Sequence, residues 1–263
     1  QRCPYHAKVA VTDPLSKILD YKIKVALPAP TLYGQFKGLK DIGRLLDALI
    51  AIGFDDVYEV ARGAEYVSRE IAGRVAHRKV HNGMPLISSA CPAIVRLIQV
   101  RFPELLENVV DVISPMEAAA LAARKRVCRN MSADPADVGI FFLTPCPAKM
   151  TEVRAPQAIK TSNVDGVISI MEVYGKLNAE LKRARHFENL QHAGAYGVGW
   201  AQTGGEMLAV GAARPPPPST SGTWPPTASR TSSRSWRASR TATLRTWITS
   251  RAWRAWAGAS AGR

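Results

Sequence analysis

An uninterrupted apolar run, VGIFFL at residues 138–143, restricts the fold of this chain more than any other segment. A run without polar alternation is typical of a strand that is buried on both faces of a parallel sheet. Other strand-like runs lie at 21–27, 56–60, 85–88 and 164–168. Segments with helical apolar spacing separate these runs, and strands that alternate with helices predict an α/β fold with a largely parallel sheet.

The predicted helices carry the usual start and stop signals, such as proline in the first turn and glycine after the last one. They cover residues 39–52, 64–76, 92–100, 115–126 and 170–185. The glycine-rich segment 191–211 is predicted to be a loop region, because no period of either kind is visible in it.

Two cysteines follow predicted strands and lie beside prolines. Cys91 lies in Ser-Ser-Ala-Cys-Pro-Ala, and Cys146 lies in Thr-Pro-Cys-Pro-Ala-Lys. Ligands in open α/β sheets bind beyond the carboxyl ends of strands, and thiolates suit iron–sulfur clusters, which normally take four. Taken alone, the two cysteines favour the alternative that both are buried structural residues, because free cysteine is often buried.

The remaining cysteines are Cys3 and Cys128, and no two of the four form a local Cys-x-x-Cys pair. A disulfide framework is not expected from this cysteine pattern in a chain of this length. We expect a cytoplasmic protein. The sequence contains no apolar run long enough for a transmembrane helix and no visible signal peptide. Since the first residue is glutamine, we expect the chain to be truncated at its N-terminus.

The net charge of +14 suggests nucleic acid or an anionic membrane as a partner, but the charge is unevenly placed. Residues 214–263 contain nine Arg and no Asp, Glu or Lys, which leaves +5 for the rest of the chain. Five of the six Trp also lie in this segment. One interpretation is a disordered low-complexity tail that binds nucleic acid. We favour another interpretation, in which residues 214–263 result from translation of GC-rich DNA in the wrong reading frame.

Several segments together resemble the catalytic domain of iron-only (FeFe) hydrogenases, over about residues 20–206. PLISSACPAIVRLIQVRFPELLENVVDVISPMEAAA is similar to the first signature loop of that family, its helix and a later Ser-Pro turn. FFLTPCPAK resembles the second signature loop, and VALPAPTLYGQF resembles the strand and loop that cover the cavity. The resemblance implies two lobes, each with a small parallel sheet flanked by helices. It also implies a 4Fe-4S cubane bridged to a two-iron subcluster that carries CO and CN.

By this resemblance Cys91 and Cys146 are ligands of the cubane, and Lys149 holds a cyanide ligand. A cationic donor three residues after a cysteine suits a bound anion, although a surface lysine is the alternative. Cys3 resembles the last cysteine of a ferredoxin motif, which implies electron-relay clusters upstream, or it is an incidental surface cysteine. Cys128 matches no ligand position, and we expect it on the core face of a helix.

Ser114 and Glu70 loosely match proton-relay positions of the family. A turn-capping role for Ser114 and a solvated position for Glu70 are the alternatives that the residues themselves favour. Where the catalytic family has a second cysteine, this chain has Ala90, which cannot titrate and interrupts the usual proton route. Thr144 replaces a usual methionine. Both departures resemble the sensory, low-turnover branch of the family.

The third signature loop, which supplies two further cysteines, is absent from the chain as given. When residues 246–262 are read from the third base of each codon, the sequence permits Ala-Cys-x-Gly-Gly-Cys-x-Gly-Gly, which resembles that loop. We therefore expect three parts: a ferredoxin-like remnant at 1–19, a hydrogenase-like iron–sulfur domain at 20–213, and an out-of-frame, disordered tail at 214–263.

The resemblance predicts a hydrogenase-like oxidoreductase, or a hydrogen sensor, that is inactive as encoded. The expected partners are H2 and either a ferredoxin-type electron partner or a signalling domain. Neither nucleic acid nor a membrane is an expected partner. The alternative function is a 4Fe-4S electron-transfer or regulatory module without a two-iron site.

Overall fold

The structure is a computed structural model, which describes residues 11–77, 86–183 and 190–213. The chain divides into two compact units. Of the described residues, the first unit contains 11–68, 113–183 and 190–209, and the second contains 69–77, 86–112 and 210–213. The predicted ferredoxin-like remnant lies mostly outside the described residues, and the predicted tail lies entirely outside them.

A parallel sheet forms the centre of the first unit. Its strands are β1 (Ile23–Pro28), β2 (Asp56–Val57), β3 (Val138–Thr144) and β4 (Gly166–Ser169). The strand order is β2-β1-β3-β4, and each neighbouring pair is parallel. All seven residues of β3 are buried, which confirms the prediction that this apolar run is a central strand.

The α-helices among the described residues begin and end at the following positions. They are α1 (Ile42–Ala51), α2 (Val60–His77), α3 (Pro92–Arg101), α4 (Pro115–Met131), α5 (Ala148–Arg154), α6 (Ile170–Leu181), α7 (Ala195–Val198) and α8 (Gly205–Ala213). Short 3-10 helices cover Leu15–Asp20, Pro30–Gln35, Pro103–Asn108, Pro135–Asp137 and Gly199–Ala201.

Helices cover both faces of the sheet. Because side chains alternate along each strand, every strand can contribute to the core on each face. On one face, Phe141 and Leu143 of β3 pack in a core that includes residues of α1 and α6. On the other face, Ile140 and Phe142 pack in a core that includes residues of α4 and Met150 of α5. The predicted α/β class, with a small parallel sheet flanked by helices, is confirmed.

The second unit is built around α3 and the 3-10 helix that follows it. Val95 and Ile98 of α3 form a small core with Val109, against which Ile87, Leu105 and Leu106 pack. The predicted strand at 85–88 is reduced, among the described residues, to one parallel bridge between Ile87 and Val109. The backbone N–H of Val110 donates to the Ile87 carbonyl at 3.3 Å and closes this bridge.

The prediction of a loop region over 191–211 is wrong, because helix α7 lies within it and helix α8 begins within it. Its glycines permit close approach of backbones as well as turns. A Cβ on Gly197 would collide with the Ala61 carbonyl, and a Cβ on Gly205 would collide with the Gly199 carbonyl. Among the glycines of residues 191–211, Gly204 alone, with φ of 80°, has the left-handed conformation that glycine favours.

The helices of the described residues are too short or too polar to cross a bilayer.

Candidate functional site

The carboxyl ends of β1 and β3 form a topological switch point in the first unit. The helix that follows β1 is α1, which packs on one face of the sheet, and the helix that follows β3 is α5, which packs on the other. The connections that leave these two adjacent strands therefore turn toward opposite faces of the sheet. Crevices at such points are the usual ligand sites of open parallel sheets. Cys146 lies in the connection that leaves β3 here.

Hydrogen bonds fix the short loop that carries Cys146. Thr144 ends β3 and is 3% exposed. Its hydroxyl oxygen accepts a hydrogen bond from the Cys146 backbone N–H at 3.1 Å. The Cys146 carbonyl accepts one from the Lys149 backbone N–H at 3.2 Å. The Cys146 residue is half-buried, and its backbone is held at the carboxyl end of β3.

Lys149 lies in the first turn of α5, and its ammonium group is paired. Its Nζ donates to the Glu152 carboxylate at 2.6 Å, and the two side chains are only 14% and 12% exposed. Lys149 also makes a further interaction. A surface lysine, the alternative considered from the sequence, is therefore not what the structure has. A largely buried cation close to Cys146 can attract an anion, although Glu152 already neutralises part of its charge.

The loop after β1 contributes a hydroxyl group that sequence reasoning did not single out. The Ala29 backbone N–H donates to the Leu143 carbonyl at 3.0 Å, so this loop leaves the sheet directly beside the end of β3. Two residues later, Thr31 Oγ1 is buried and has no hydrogen-bond partner among the described residues. Buried hydroxyls without a partner are rare, and each one suggests a ligand or water that completes it.

Glu59 holds chain segments at the same carboxyl end of the sheet through its buried carboxylate. Its Oε2 accepts the backbone N–H groups of His192 and Ala193 at 2.6 and 2.8 Å, and its Oε1 accepts the Tyr33 hydroxyl at 3.2 Å. Burial, followed by the neighbouring Glu59 carboxylate, raises the pKa of Tyr33 well above its ordinary value. Glu59 follows β2 and thus ties three chain segments together. No local sequence pattern around Glu59 indicates this role.

Ser114, a predicted relay residue, is the N-cap of α4. It is 5% exposed, and its Oγ accepts the Glu117 backbone N–H at 3.5 Å. Glu117 is itself buried, and its carboxylate accepts from the Ser162 hydroxyl and from the backbone and side-chain N–H groups of Asn163. The structure thus supports the capping alternative, and a capping hydroxyl still retains its own proton to donate.

Cys91 and Glu70 belong to the second unit. Cys91 is exposed and is the N-cap of α3, without a side-chain cap, and Pro92 occupies the first turn. The preceding segment is fixed by the Ser89 hydroxyl, which donates to the Val112 carbonyl at 2.9 Å. Glu70 is 57% exposed and forms a surface ion pair with Arg74 at 2.9 Å. Its solvated position agrees with the alternative considered from the sequence.

The remaining cysteines do not complete a ligand set among the described residues. Cys128 is a partly buried residue of α4 that packs against the core, as expected, and Cys3 lies outside the described residues. No group of three or more His, Cys, Asp or Glu side chains in the described ranges could hold a metal ion. A cubane normally takes four thiolates. The described part of the chain therefore supplies two candidate ligands, and these do not fit a complete cubane site.

The chain is similar to iron hydrogenases over most of its length. The family described as iron only hydrogenase large subunit, C-terminal domain, matches residues 22–234. Iron hydrogenase 1 of Clostridium pasteurianum is 30% identical over 145 residues, which are 54% of this chain and 25% of that protein. The periplasmic [Fe] hydrogenase large subunit of Nitratidesulfovibrio vulgaris is 26% identical over 183 residues, which are 64% of this chain and 43% of that protein.

Solved structures support the same fold. An apo [FeFe]-hydrogenase HydA1 variant from Chlamydomonas reinhardtii superposes with a TM-score of 0.56 at 20% identity, over 70% of this chain and 53% of that chain. The chain spans between a quarter and less than half of the length of the two curated relatives.

Proposed function

Because this chain belongs to the iron-only hydrogenase large-subunit family, we propose that it is part of a hydrogenase-like iron–sulfur protein. The parent function is reversible oxidation of H2 to protons and electrons, or the sensing of H2. The observation that carries the proposal is the position of Cys146, fixed at the switch point of the sheet. Ala90 favours the sensory role, because it cannot provide the proton route that turnover needs. Thr144, in place of a usual methionine, resembles the same branch.

We propose that Cys91 and Cys146 bind iron through their thiolates and that Cys3 belongs to a separate, upstream cluster segment. The expected cofactor is a 4Fe-4S cluster, with a two-iron subcluster in the complete parent protein. When bound in the parent protein, such a subcluster would supply the chemistry of H2 cleavage. Lys149 is the proposed donor to an anionic ligand. The Thr31 hydroxyl, which has no hydrogen-bond partner among the described residues, is a second proposed donor at the same carboxyl end of the sheet.

Proton transfer is the proposed role of Ser114 and Glu70. Ser114 can donate its hydroxyl proton while its oxygen caps α4. Glu70 is 57% exposed, so its carboxylate can contact solvent water beside its ion pair with Arg74. The proposed partners are H2 and a ferredoxin-type electron carrier or a signalling domain. A cytoplasmic location stays a prediction, and one relative is described as periplasmic.

A second candidate function is electron transfer or regulation by a 4Fe-4S module without a two-iron site. It is favoured by Ala90, because a module without a two-iron site needs no proton-donating side chain at that position. Infrared spectroscopy separates the two functions, because only the two-iron unit has bound CO and CN. Bands from these ligands after maturation support the hydrogenase-like function. Their absence from a chain that binds iron and sulfide supports the second function.

The test is an anaerobic titration of the full chain with ferrous iron and sulfide, followed by thiolate-to-iron charge-transfer absorption. We expect Cys91→Ser and Cys146→Ser each to lower the signal, because serine is a poorer ligand for iron than a thiolate. Cys128→Ser is the matched control and should leave the signal unchanged, because Cys128 packs against the core. Equal signals from the three variants would contradict the proposal.

Sequencing the gene across the codons for residues 211–218 tests the expected change of frame. If one base is in error there, the corrected chain gains two cysteines, and we expect it to retain more iron than the chain as given. If the present sequence stands, we expect no H2 turnover from this chain.

A further inference from the structure

Thr144 occupies the point where β3 becomes the cysteine loop. It pairs with Ser169 of β4 in the sheet register, and it is almost completely buried. Its side chain turns toward the loop, because its Oγ1 lies 3.1 Å from the Cys146 backbone nitrogen. A buried threonine at a strand end could equally well be replaced by an apolar residue unless its hydroxyl has a task.

The loop has only one backbone donor for this hydroxyl to hold. Pro145 and Pro147 have no N–H, so Cys146 provides the sole N–H of residues 145–147. That N–H is bonded to Thr144 Oγ1, and the Cys146 carbonyl is bonded to the Lys149 N–H. The peptide groups on both sides of the Cys146 Cα are therefore fixed. Fixing both peptide planes fixes the direction of the Cα–Cβ bond, and with it the range of thiol positions.

We infer that Thr144 is a positioning residue for Cys146. The Thr144 hydroxyl holds the loop in its final conformation before any ligand is bound. Its functional meaning rests on the proposed role of Cys146 as an iron ligand, whereas the local geometry needs no iron. Holding a ligand residue in advance lowers the entropy lost on binding. Valine has the shape of threonine without the acceptor, and serine keeps the acceptor.

Selective labelling makes this single amide visible in the full chain. The chain has four cysteines, so protein labelled with ¹⁵N-cysteine gives at most four backbone amide signals. Only Cys146 follows a proline, so additional ¹³C-carbonyl labelling of proline identifies its signal. Cys128 lies within α4 and serves as the internal control for the fold. Amide exchange rates and the Hα–Hβ couplings of Cys146 are then measured without metal.

In Thr144→Val we expect the Cys146 amide to exchange roughly tenfold faster, because one hydrogen bond is lost. We expect its Hα–Hβ couplings to shift from those of one dominant rotamer toward an average of several. Thr144→Ser should restore both values, and the Cys128 amide should be unchanged throughout. A general loss of stability would accelerate exchange at Cys128 as well.

Equal Cys146 exchange in the wild-type chain and Thr144→Val would overturn the inference, as would unchanged couplings or failure of Thr144→Ser to restore them. If Thr144→Val loses its Cys128 protection, Thr144→Ala replaces it with the same readouts. The iron titration of Cys146→Ser is independent of these measurements. If that variant binds iron normally while Thr144→Val loosens the loop, the proposed function fails and the positioning role stands.

Discussion

The two cysteine–proline segments look alike in sequence but are supported differently. Cys146 follows a fully buried strand, and the backbone groups on both sides of it are hydrogen-bonded within the first unit. Cys91 is an exposed N-cap in the second unit, without a side-chain cap. A shared motif therefore does not imply a shared degree of preorganisation. The Cys146 loop is supported by the sheet beneath it, whereas the Cys91 segment depends on a small core of a few side chains.

The largest expected effect comes from removing the support beneath the Cys146 loop. Phe141 is completely buried in β3 and lies against Tyr21, with ring centroids 5.6 Å apart. Phe141→Ala should lower the free energy of unfolding by about 4 kcal/mol, because it removes a large core side chain. Urea denaturation followed by circular dichroism measures the change. Leu19→Ala, at a residue that is 76% exposed, is the control and should change little.

Glutamates in the two units provide the second test. Glu117→Ala leaves the donors of Ser162 and Asn163 unpaired in a buried site, and we expect a loss of about 3 kcal/mol. Glu70→Ala removes only a surface ion pair with Arg74, and we expect a loss of about 0.4 kcal/mol. Methyl NMR of isoleucines in each unit, recorded against urea, gives both values. Similar losses would contradict the contrast between the units.

Alkaline pH should act on the first unit before the second. Burial and then the Glu59 carboxylate raise the pKa of Tyr33, and burial is the main cause that raises the pKa of Tyr58 to about 12. The unfolded tyrosines lose their protons near pH 10, whereas the folded ones keep them. The stability they contribute is thus fully present below about pH 10 and is lost as the pH rises through the folded values.

Tyr33→Phe checks this pH dependence. At pH 8 it should cost about 1.5 kcal/mol, because the hydrogen bond to Glu59 is lost. The difference from the wild-type chain should shrink above pH 10. Residues 69–112 contain no tyrosine, so isoleucine methyl signals of that region, such as that of Ile98, serve as the control. A penalty that stays constant from pH 8 to 11 would show that Tyr33 does not titrate as expected.

The smallest effects concern the helix caps. Ser114→Ala should destabilise the first unit by about 1 kcal/mol, since the cap of α4 is lost. Cys91→Ser should stabilise α3 by about 0.5 kcal/mol, because serine can cap where cysteine does not. Changes of opposite sign in the midpoint of thermal unfolding would sharpen the contrast between the Ser114 cap, which forms a side-chain hydrogen bond, and the Cys91 cap, which does not. A loss of stability in both variants would remove it.

Local patterns predicted the parts of the fold that depend on local sequence. The run at 138–143, the proline at the start of α3 and the Ser-Pro start of α4 each located an element correctly. The glycines at 197 and 205 were misleading, because they permit close backbone contacts, Gly197 with the distant Ala61 and Gly205 with the nearby Gly199. Helix α5 was not predicted at all, since a seven-residue helix provides too few turns for a visible period.

The candidate site was predictable only in part, for a related reason. Cysteines beside prolines are conspicuous in a sequence, and both were found. The buried hydroxyl of Thr31 and the buried carboxylate of Glu59 were not found, because their surroundings come from remote segments. The partners of Glu59 at His192 and Ala193 lie more than 130 residues away along the chain. No local pattern contains that contact.

The strand order has a consequence for synthesis of the chain. β1 pairs on one side with β3, and about 110 residues separate Pro28 from Val138. At typical translation rates of 5–20 residues per second, roughly 5–20 seconds pass before that partner exists. During this interval the apolar edge of β1 can pair only with the two residues of β2 or with foreign strands. We therefore expect nascent chains halted before residue 138 to depend on chaperones, whereas chains completed through β4 should not.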